Sequence, residues 1–400
     1  MDRFQPRART AALLLAVALA NAGGVVSYLP LFTLLLPLRV EALDELAKID
    51  LLTATAVVGG IVASGANILF GWLSDLSATK GGGRRRWVVG GLVALALSYI
   101  GLSLAGTPAQ LVLAVALAQA AINAVLAPLF AIIAEEVPAR RKGIAGGMLA
   151  LGNPVAAAFS VALLAQPDLV EMARFALVPA AAFALILPLL ALRPRKEFLA
   201  PELAVPWERR DIVIASISRL LVQLSCATLT LYLLYYFKTL TQVEGDAAGL
   251  VGRVLTISYI IPLPVALAIG RWSDLAGTRK PFLFGAALVG TVGLIGMAFA
   301  ETAWHGAIAF CVYATGTAVF LSLHVTFAMQ LLPRPDRRGR DLGLVNLTNT
   351  VPAIIGTLIV WHLATPENFT PVLLTFAALK ALGAVVILAA RERPRAFAVQ

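Results

Sequence analysis

Arg219, His324 and Lys380 lie deep inside long apolar stretches of this sequence, and each could do chemistry there. A guanidinium in hydrocarbon is costly, so Arg219, eight residues after Asp211 and about 12 Å into its helix, must meet water or a partner, or snorkel back to the interface. Facing a cavity, its planar fork suits an anionic or polyhydroxylated solute. His324, nine residues before Pro333, is the one histidine deep in a span. It reads either as a proton carrier or as a satisfied hydrogen-bonding group. Lys380 reads as a residue that snorkels or pairs locally. A second set of charges occurs twice, in GWLSDLSATKGGGRRR from Gly71 and GRWSDLAGTRKPF from Gly270, with 199 positions between Asp75 and Asp274. Asp75 with Arg84 and Arg85, and Asp274 with Arg279, are close enough in sequence to pair across a tight turn. Such a cluster, made in one state and broken in another, is a gate. The plainer alternative is that the cations fix topology and the aspartates cap a turn. Gly71 and Gly270 are expected to let a neighbouring helix approach.

The elements that position these residues follow from composition. At 60% apolar and 14% charged residues, with repeated apolar runs near twenty residues, the chain exceeds what a soluble core could hide. Charge clusters and Pro/Gly breaks cut it into twelve spans, roughly 10–37, 51–73, 87–105, 109–134, 143–165, 173–192, 212–237, 249–270, 281–300, 305–332, 343–363 and 371–390. A lone apolar strand would leave its backbone unpaired in lipid and the alternation of a membrane barrel is missing, so the expected fold is an all-α integral membrane protein. The first span follows Arg3, Arg7 and Arg9 without a small-residue cleavage site and reads as a retained helix.

Of the 32 lysines and arginines, 25 fall at the termini and in alternate connections. The positive-inside rule then puts both termini in the cytoplasm, as in a multi-pass bacterial inner-membrane protein. The net charge of +10 is therefore topological and argues for no nucleic-acid partner. The six tryptophans sit at span ends, as interfacial anchors do. Cys226 and Cys311 lie inside spans without metal-ligand spacing and read as packing residues. No P-loop, haem motif or His/Cys cluster calls for a cofactor or a metal, and no acid–base or metal cluster marks an enzyme on lipid-linked substrates.

The repeat extends beyond the loops. Pro138-Ala-Arg-Arg-Lys-Gly143 is echoed by Pro333 to Gly343, and each leads to a mid-span proline, Pro154 and Pro352. Two six-helix halves are expected, residues 1–192 and 211–400, joined by a polar linker at 193–210. Repeats of this kind let halves rock about a site between them.

At these residues the chain resembles the major facilitator superfamily over essentially its whole length, because G-x-x-S-D followed by a basic cluster is that superfamily's loop signature. Arg84-Arg85-Arg86-Trp87, Arg279-Lys280-Pro281 and the stretch from Gly339 to Pro352 are similar to the glycoside-pentoside-hexuronide symporters and sucrose transporters. The resemblance implies that spans 1, 4, 7 and 10 line the cavity and that span 12 is peripheral. Those four spans carry polar residues at helical spacing: Asn21 and Tyr28, Gln119 and Asn123, Arg219 and Gln223, then Tyr313, Thr317 and His324. As candidate substrate-binding residues they are Asn21, Tyr28, Gln119, Asn123, Arg219, Gln223, Thr317 and His324. Cation symporters of the resembled group hold their ion with carboxylates in spans 2 and 4, whereas all 22 acidic residues here fall in loops or at span ends. Sodium coupling is thus not implied, and coupling rests on a proton or is absent.

The expected function is secondary transport of a small polar solute, a sugar or glycoside first, by a monomer in the bilayer. Gly152-Asn153-Pro154 in span 5 partly matches the glycine–proline signature of drug antiporters, which keeps an exporter of amphipathic compounds as the alternative. A nontransporting sensor or assembly factor is the alternative from another class.

Overall fold

The computed structural model describes residues 5–137, 148–149, 151–166, 168–192, 209–240, 247–331, 338–365 and 367–391, with backbone alone at 5–10, 134, 209, 227, 274, 325–326, 328–331 and 338–350. The linker expected at 193–210 lies outside these residues up to 208, as do Pro138 to Gly147 and Pro333 to Arg337.

The chain divides into two compact units, Met1–Ala200 and Pro201–Gln400. In the first, span 1 runs through α1 (Gln5–Val26), a π-helical turn (Leu31–Leu35) and α2 (Leu36–Leu43). Spans 2 to 6 are α3 (Lys48–Thr79), α4 (Arg85–Leu104), α5 (Pro108–Glu136), α6 (Gly152–Leu164) and α7 (Glu171–Ala191). In the second, span 7 is α8 (Arg209–Leu240), and span 8 is broken into α9 (Ala247–Ile260) and α10 (Pro262–Ala276). Spans 9 to 12 are α11 (Lys280–Ala298), α12 (Ala303–Leu331), α13 (Arg338–Leu363) and α14 (Thr370–Leu388). Among the described residues ten helices are long and apolar enough to cross a membrane, and two shorter apolar ones, Gly152–Leu164 and Val351–Leu363, fall in spans 5 and 11. The fold is all-α; an isolated bridge between Thr365 and Asn368 is the only β pairing among the described residues.

The two units repeat one packing scheme. In the first, span 4 packs on spans 2 and 3, and span 1 packs on spans 5 and 6. In the second, span 10 packs on spans 8 and 9, and span 7 packs on spans 11 and 12. The duplication in sequence is thus a duplication of helix partners. Small residues make the closest approaches, as membrane helices require. A Cβ on Gly91 of α4 would lie 2.8 Å from the backbone of α5, and one on Gly23 of α1 would lie 2.8 Å from the carbonyl of Ala182 in α7.

Two spans that read as continuous helices are interrupted, and proline is the reason in both. Pro262 has no N–H to give, so span 8 breaks between Ile260 and Pro262. In span 1, Pro30 precedes the π turn, where Leu36 N–H reaches back to Leu31 O. The Tyr99 hydroxyl, buried on α4, donates to the carbonyl of Ser27 just before this turn at 2.8 Å. Tyr99→Phe keeps the ring and removes that donor. The variant is expected to lose about 1–3 kcal/mol of stability, read as a lower unfolding midpoint in detergent. An unchanged midpoint refutes that role for the hydroxyl.

Candidate functional site

The repeated phrase becomes a charge network in the first unit. α3 ends at Thr79, and glycines at 81 and 83 in the left-handed region (φ 80° and 69°) turn the chain into α4. That turn places Arg84 between two helix ends. Its Nη1 donates to Asp75 and, at 2.9 Å, to Ser74 Oγ, while its Nη2 reaches Glu135 Oε1 at the end of α5 at 2.6 Å. Arg85 forks onto Glu136, Nη1 to Oε1 at 2.6 Å and Nη2 to Oε2 at 2.9 Å, and its Nε donates to Leu189 O of α7 at 3.4 Å. Burial acts to lower the pKa of Arg84, but its hydrogen bonds to Glu135 and Asp75 outweigh that and hold it above the ordinary value. Four spans of one half are therefore tied at their cytoplasmic ends.

Two sequence expectations change here. Asp75 and Arg84 meet as expected, yet the partners that occupy most of the two guanidinia are Glu135 and Glu136, which the sequence reading left as span-end acids. Gly71 and Gly270 do not carry a helix contact: a Cβ on either meets nothing within 4 Å. Of the second copy, the expected pair of Asp274 with Arg279 lies outside the described residues. Ser273 Oγ bonds the Thr278 carbonyl at 3.2 Å, Gly277 makes the turn with φ 69°, and Lys280 Nζ caps the end of α14 through Leu388 O and Ala390 O at 3.0 and 2.8 Å. Arg279 is buried, and the side chain of Asp274 lies outside the described residues.

Within the first unit, Asn21 is buried on α1 and donates to Leu149 O at 2.8 Å, over a Gly152 whose Cβ would collide with it. Tyr28, at the break in span 1, is half-buried, and Gln119 packs over Gly59 of α3. Asn123 donates to Gln119 O at 2.9 Å and accepts from Asn67 Nδ2 of α3 at 3.1 Å, so an amide missed in the sequence joins the stripe.

The second unit holds the denser polar set. Arg219 Nε donates to Gln223 Oε1 at 3.2 Å, which brings that pair together on α8. His324 is buried, stacks on Phe320 and meets Ala215 O through Nε2 at 2.9 Å. That bond to a carbonyl makes Nε2 the protonated nitrogen and leaves Nδ1 a buried acceptor.

Of the two readings of Lys380, snorkelling or pairing, the structure shows pairing. The lysine is neither peripheral nor snorkelling, since it is 0% exposed. Its Nζ donates to Thr317 Oγ1 at 2.9 Å and to Val222 O at 3.1 Å, and lies 4.9 Å from the centre of the Tyr313 ring. The Tyr313 hydroxyl in turn donates to Ser225 Oγ at 3.2 Å. Gly290 of α11 makes room for the stem, for a Cβ there would lie 3.1 Å from Lys380 Cδ. Spans 7, 9, 10 and 12 thus close around one ammonium. Cys226 and Cys311 are free thiols, and no cluster of metal-ligating residues exists among the described residues.

Residues 212–399 match the family model described as Major Facilitator Superfamily. Over nearly the whole chain the fold is similar to that of the nucleoside transporter NupG, solved as a point mutant, at 16% identity and a TM-score of 0.71, covering 95% of this chain and all of that one. It is similar also to the D-xylose-proton symporter, at 16% identity and a TM-score of 0.68, covering 96% of this chain and 98% of that one. No curated protein matches the sequence. The second half thus matches the superfamily's sequence pattern, the fold along nearly the whole chain is similar to that of these two solved proteins, and the chain is an all-α, multi-pass membrane protein.

Proposed function

We propose that the protein moves a small hydroxylated solute, a sugar or glycoside, by alternating access of its two halves, residues 1–192 and 211–400. The observation that carries the solute class is the chemistry of the polar side chains inside the spans. Asn21, Asn67, Gln119 and Asn123 offer amides, Arg219 and Lys380 offer cations, and no carboxylate accompanies them in the middle of a described span. A donor-rich set suits a solute rich in oxygen acceptors. The loop residues Asp75, Arg84 to Arg86 and Trp87 support the same class through their likeness to the glycoside-pentoside-hexuronide and sucrose transporter groups. The names of the solved relatives agree with it, for a nucleoside and D-xylose both present a pentose. The glycine at the start of α6, which would favour a drug exporter, is taken up by packing against Asn21. A proton is the coupling ion this site admits, with His324 and Lys380 the titratable groups buried nearest to its polar residues.

The test is a ligand screen by thermal shift on the purified protein, with pentoses, hexoses, glycosides, sugar acids and amphipathic cations, since a ligand that binds the folded state raises its midpoint. A shift with hydroxylated solutes is expected. Arg219→Ala then weakens that ligand about tenfold, equivalent to about 1.4 kcal/mol, while the ligand-free midpoint stays near that of the parent. Shifts with amphipathic cations alone overturn the solute class, and undiminished affinity in Arg219→Ala removes Arg219 from the site.

A further inference from the structure

A groove of about 910 Å³ runs along α4 and α5 in the first unit, on the side away from the amides of Gln119 and Asn123. Gly90, Ala94 and Gly101 form one wall and Leu117, Ala121 and Ala124 the other. Its cytoplasmic end is closed by Phe70, Arg86 and Trp87. The size falls within the range of about 300–1,000 Å³ that bound organic molecules occupy. The exposed leucines beside it, Leu97, Leu113 and Leu117, are 64%, 62% and 56% accessible. On a membrane helix that exposure is to hydrocarbon. From Arg86 to Gly101 the wall is about 22 Å long at about 1.5 Å per residue, more than the depth of one leaflet, about half of a 30 Å hydrocarbon core.

The head of the groove has the chemistry of an anion site. Arg84 and Arg85 are engaged by Asp75, Glu135 and Glu136. Arg86, the next residue, has no carboxylate partner among the described residues. Its Nε donates to Ser77 Oγ at 2.8 Å, which orients the guanidinium and leaves its two terminal nitrogens available. Beside it the Trp87 ring leans on Phe70, and its Nε1–H is buried with no acceptor. A phosphodiester supplies oxygens for the Arg86 terminal nitrogens, and a negative headgroup offsets the one cation of the three that has no carboxylate partner among the described residues.

We propose that this groove binds an anionic phospholipid of the cytoplasmic leaflet, its phosphate on Arg86 and one acyl chain along α4 and α5. The test is native mass spectrometry of the delipidated full-length protein titrated with phosphatidylglycerol and, separately, phosphatidylcholine of the same acyl chains. Wild type is expected to bind the first phosphatidylglycerol about tenfold more tightly than phosphatidylcholine. Arg86→Gln removes most of that preference, and Arg86→Lys retains part of it. Gly90→Leu fills the groove, and because a Cβ at Gly90 has no neighbour within 4 Å it does so without disturbing the fold. It is expected to weaken both lipids. Equal binding of the two lipids by wild type, an undiminished preference in Arg86→Gln, or unchanged lipid binding in Gly90→Leu overturns the proposal. So does a lipid-independent dimer that Gly90→Leu dissociates, which would make the groove a contact between copies.

Discussion

Arg84→Gln is expected to shift the balance between inward-open and outward-open states severalfold, and further than Asp75→Asn does. The reason is connectivity. Asp75 is 64% exposed and contributes one arm of the network, whereas Arg84 joins the end of α3 to the end of α5 through Asp75, Ser74 and Glu135. Removing Asp75 leaves Arg84 anchored on Glu135. Removing the guanidinium leaves two carboxylates facing one another across the helix ends with no cation between them. Exposed pairs are screened and individually worth little, so the effect is sought in a conformational equilibrium, where about 1.4 kcal/mol is a factor of ten, and not in global stability. Cysteine probes placed on each side of the membrane report the balance. Both variants should change labelling from the two sides in opposite directions, with Arg84→Gln the larger. If Arg84→Gln labels as the parent does, the network is a topological and packing device and the gate lies elsewhere.

How much of this was legible in the sequence depends on whether a residue's partners are local. Asp75 and Arg84 are nine positions apart around a glycine turn, and the repeat of the phrase near Gly270 marked them as one unit. Twelve spans and their duplication were equally plain, because hydrophobic length and loop charge are properties of contiguous sequence. The Glu135 and Glu136 contacts join residues 51 positions apart, and an acid at a span end already has a sufficient explanation in sequence. The break in span 1 was hidden because a π turn and an α-helix read with nearly the same apolar pattern. Pro30 was its signal. In the second loop copy, Lys280 holds the carbonyls that end α14, partners 108 and 110 positions away that no local reading could reach.

The partners of Lys380 were hidden for the same reason, and it carries the other large expected effect. A lysine in the middle of an apolar span snorkels when its stem can reach an interface. Here the facing helices decide otherwise, since glycine at 290 opens a slot and Thr317, Val222 and Tyr313 supply the only coordination the ammonium has among the described residues. Among the described residues no carboxylate pairs with it to offset its desolvation. A buried charge held this way does little for folding, and an apolar side chain of similar volume is expected to fold at least as well. Lys380→Met should therefore keep or raise the unfolding midpoint. Thr317→Val should lower stability by about 1–3 kcal/mol, because it leaves the charge in place with one acceptor fewer. An ionisable group that is dispensable for folding in such a place belongs to the working of the protein. Counterflow of whichever solute the thermal-shift screen identifies should accordingly fall at least about tenfold in Lys380→Met, in protein whose midpoint is undiminished. Full transport in a stabilised Lys380→Met would show the ammonium to be neither structural nor functional. A collapse of stability in that variant, with Thr317→Val unaffected, would instead make the lysine a packing element whose stem, and not its charge, fills the space beside Gly290.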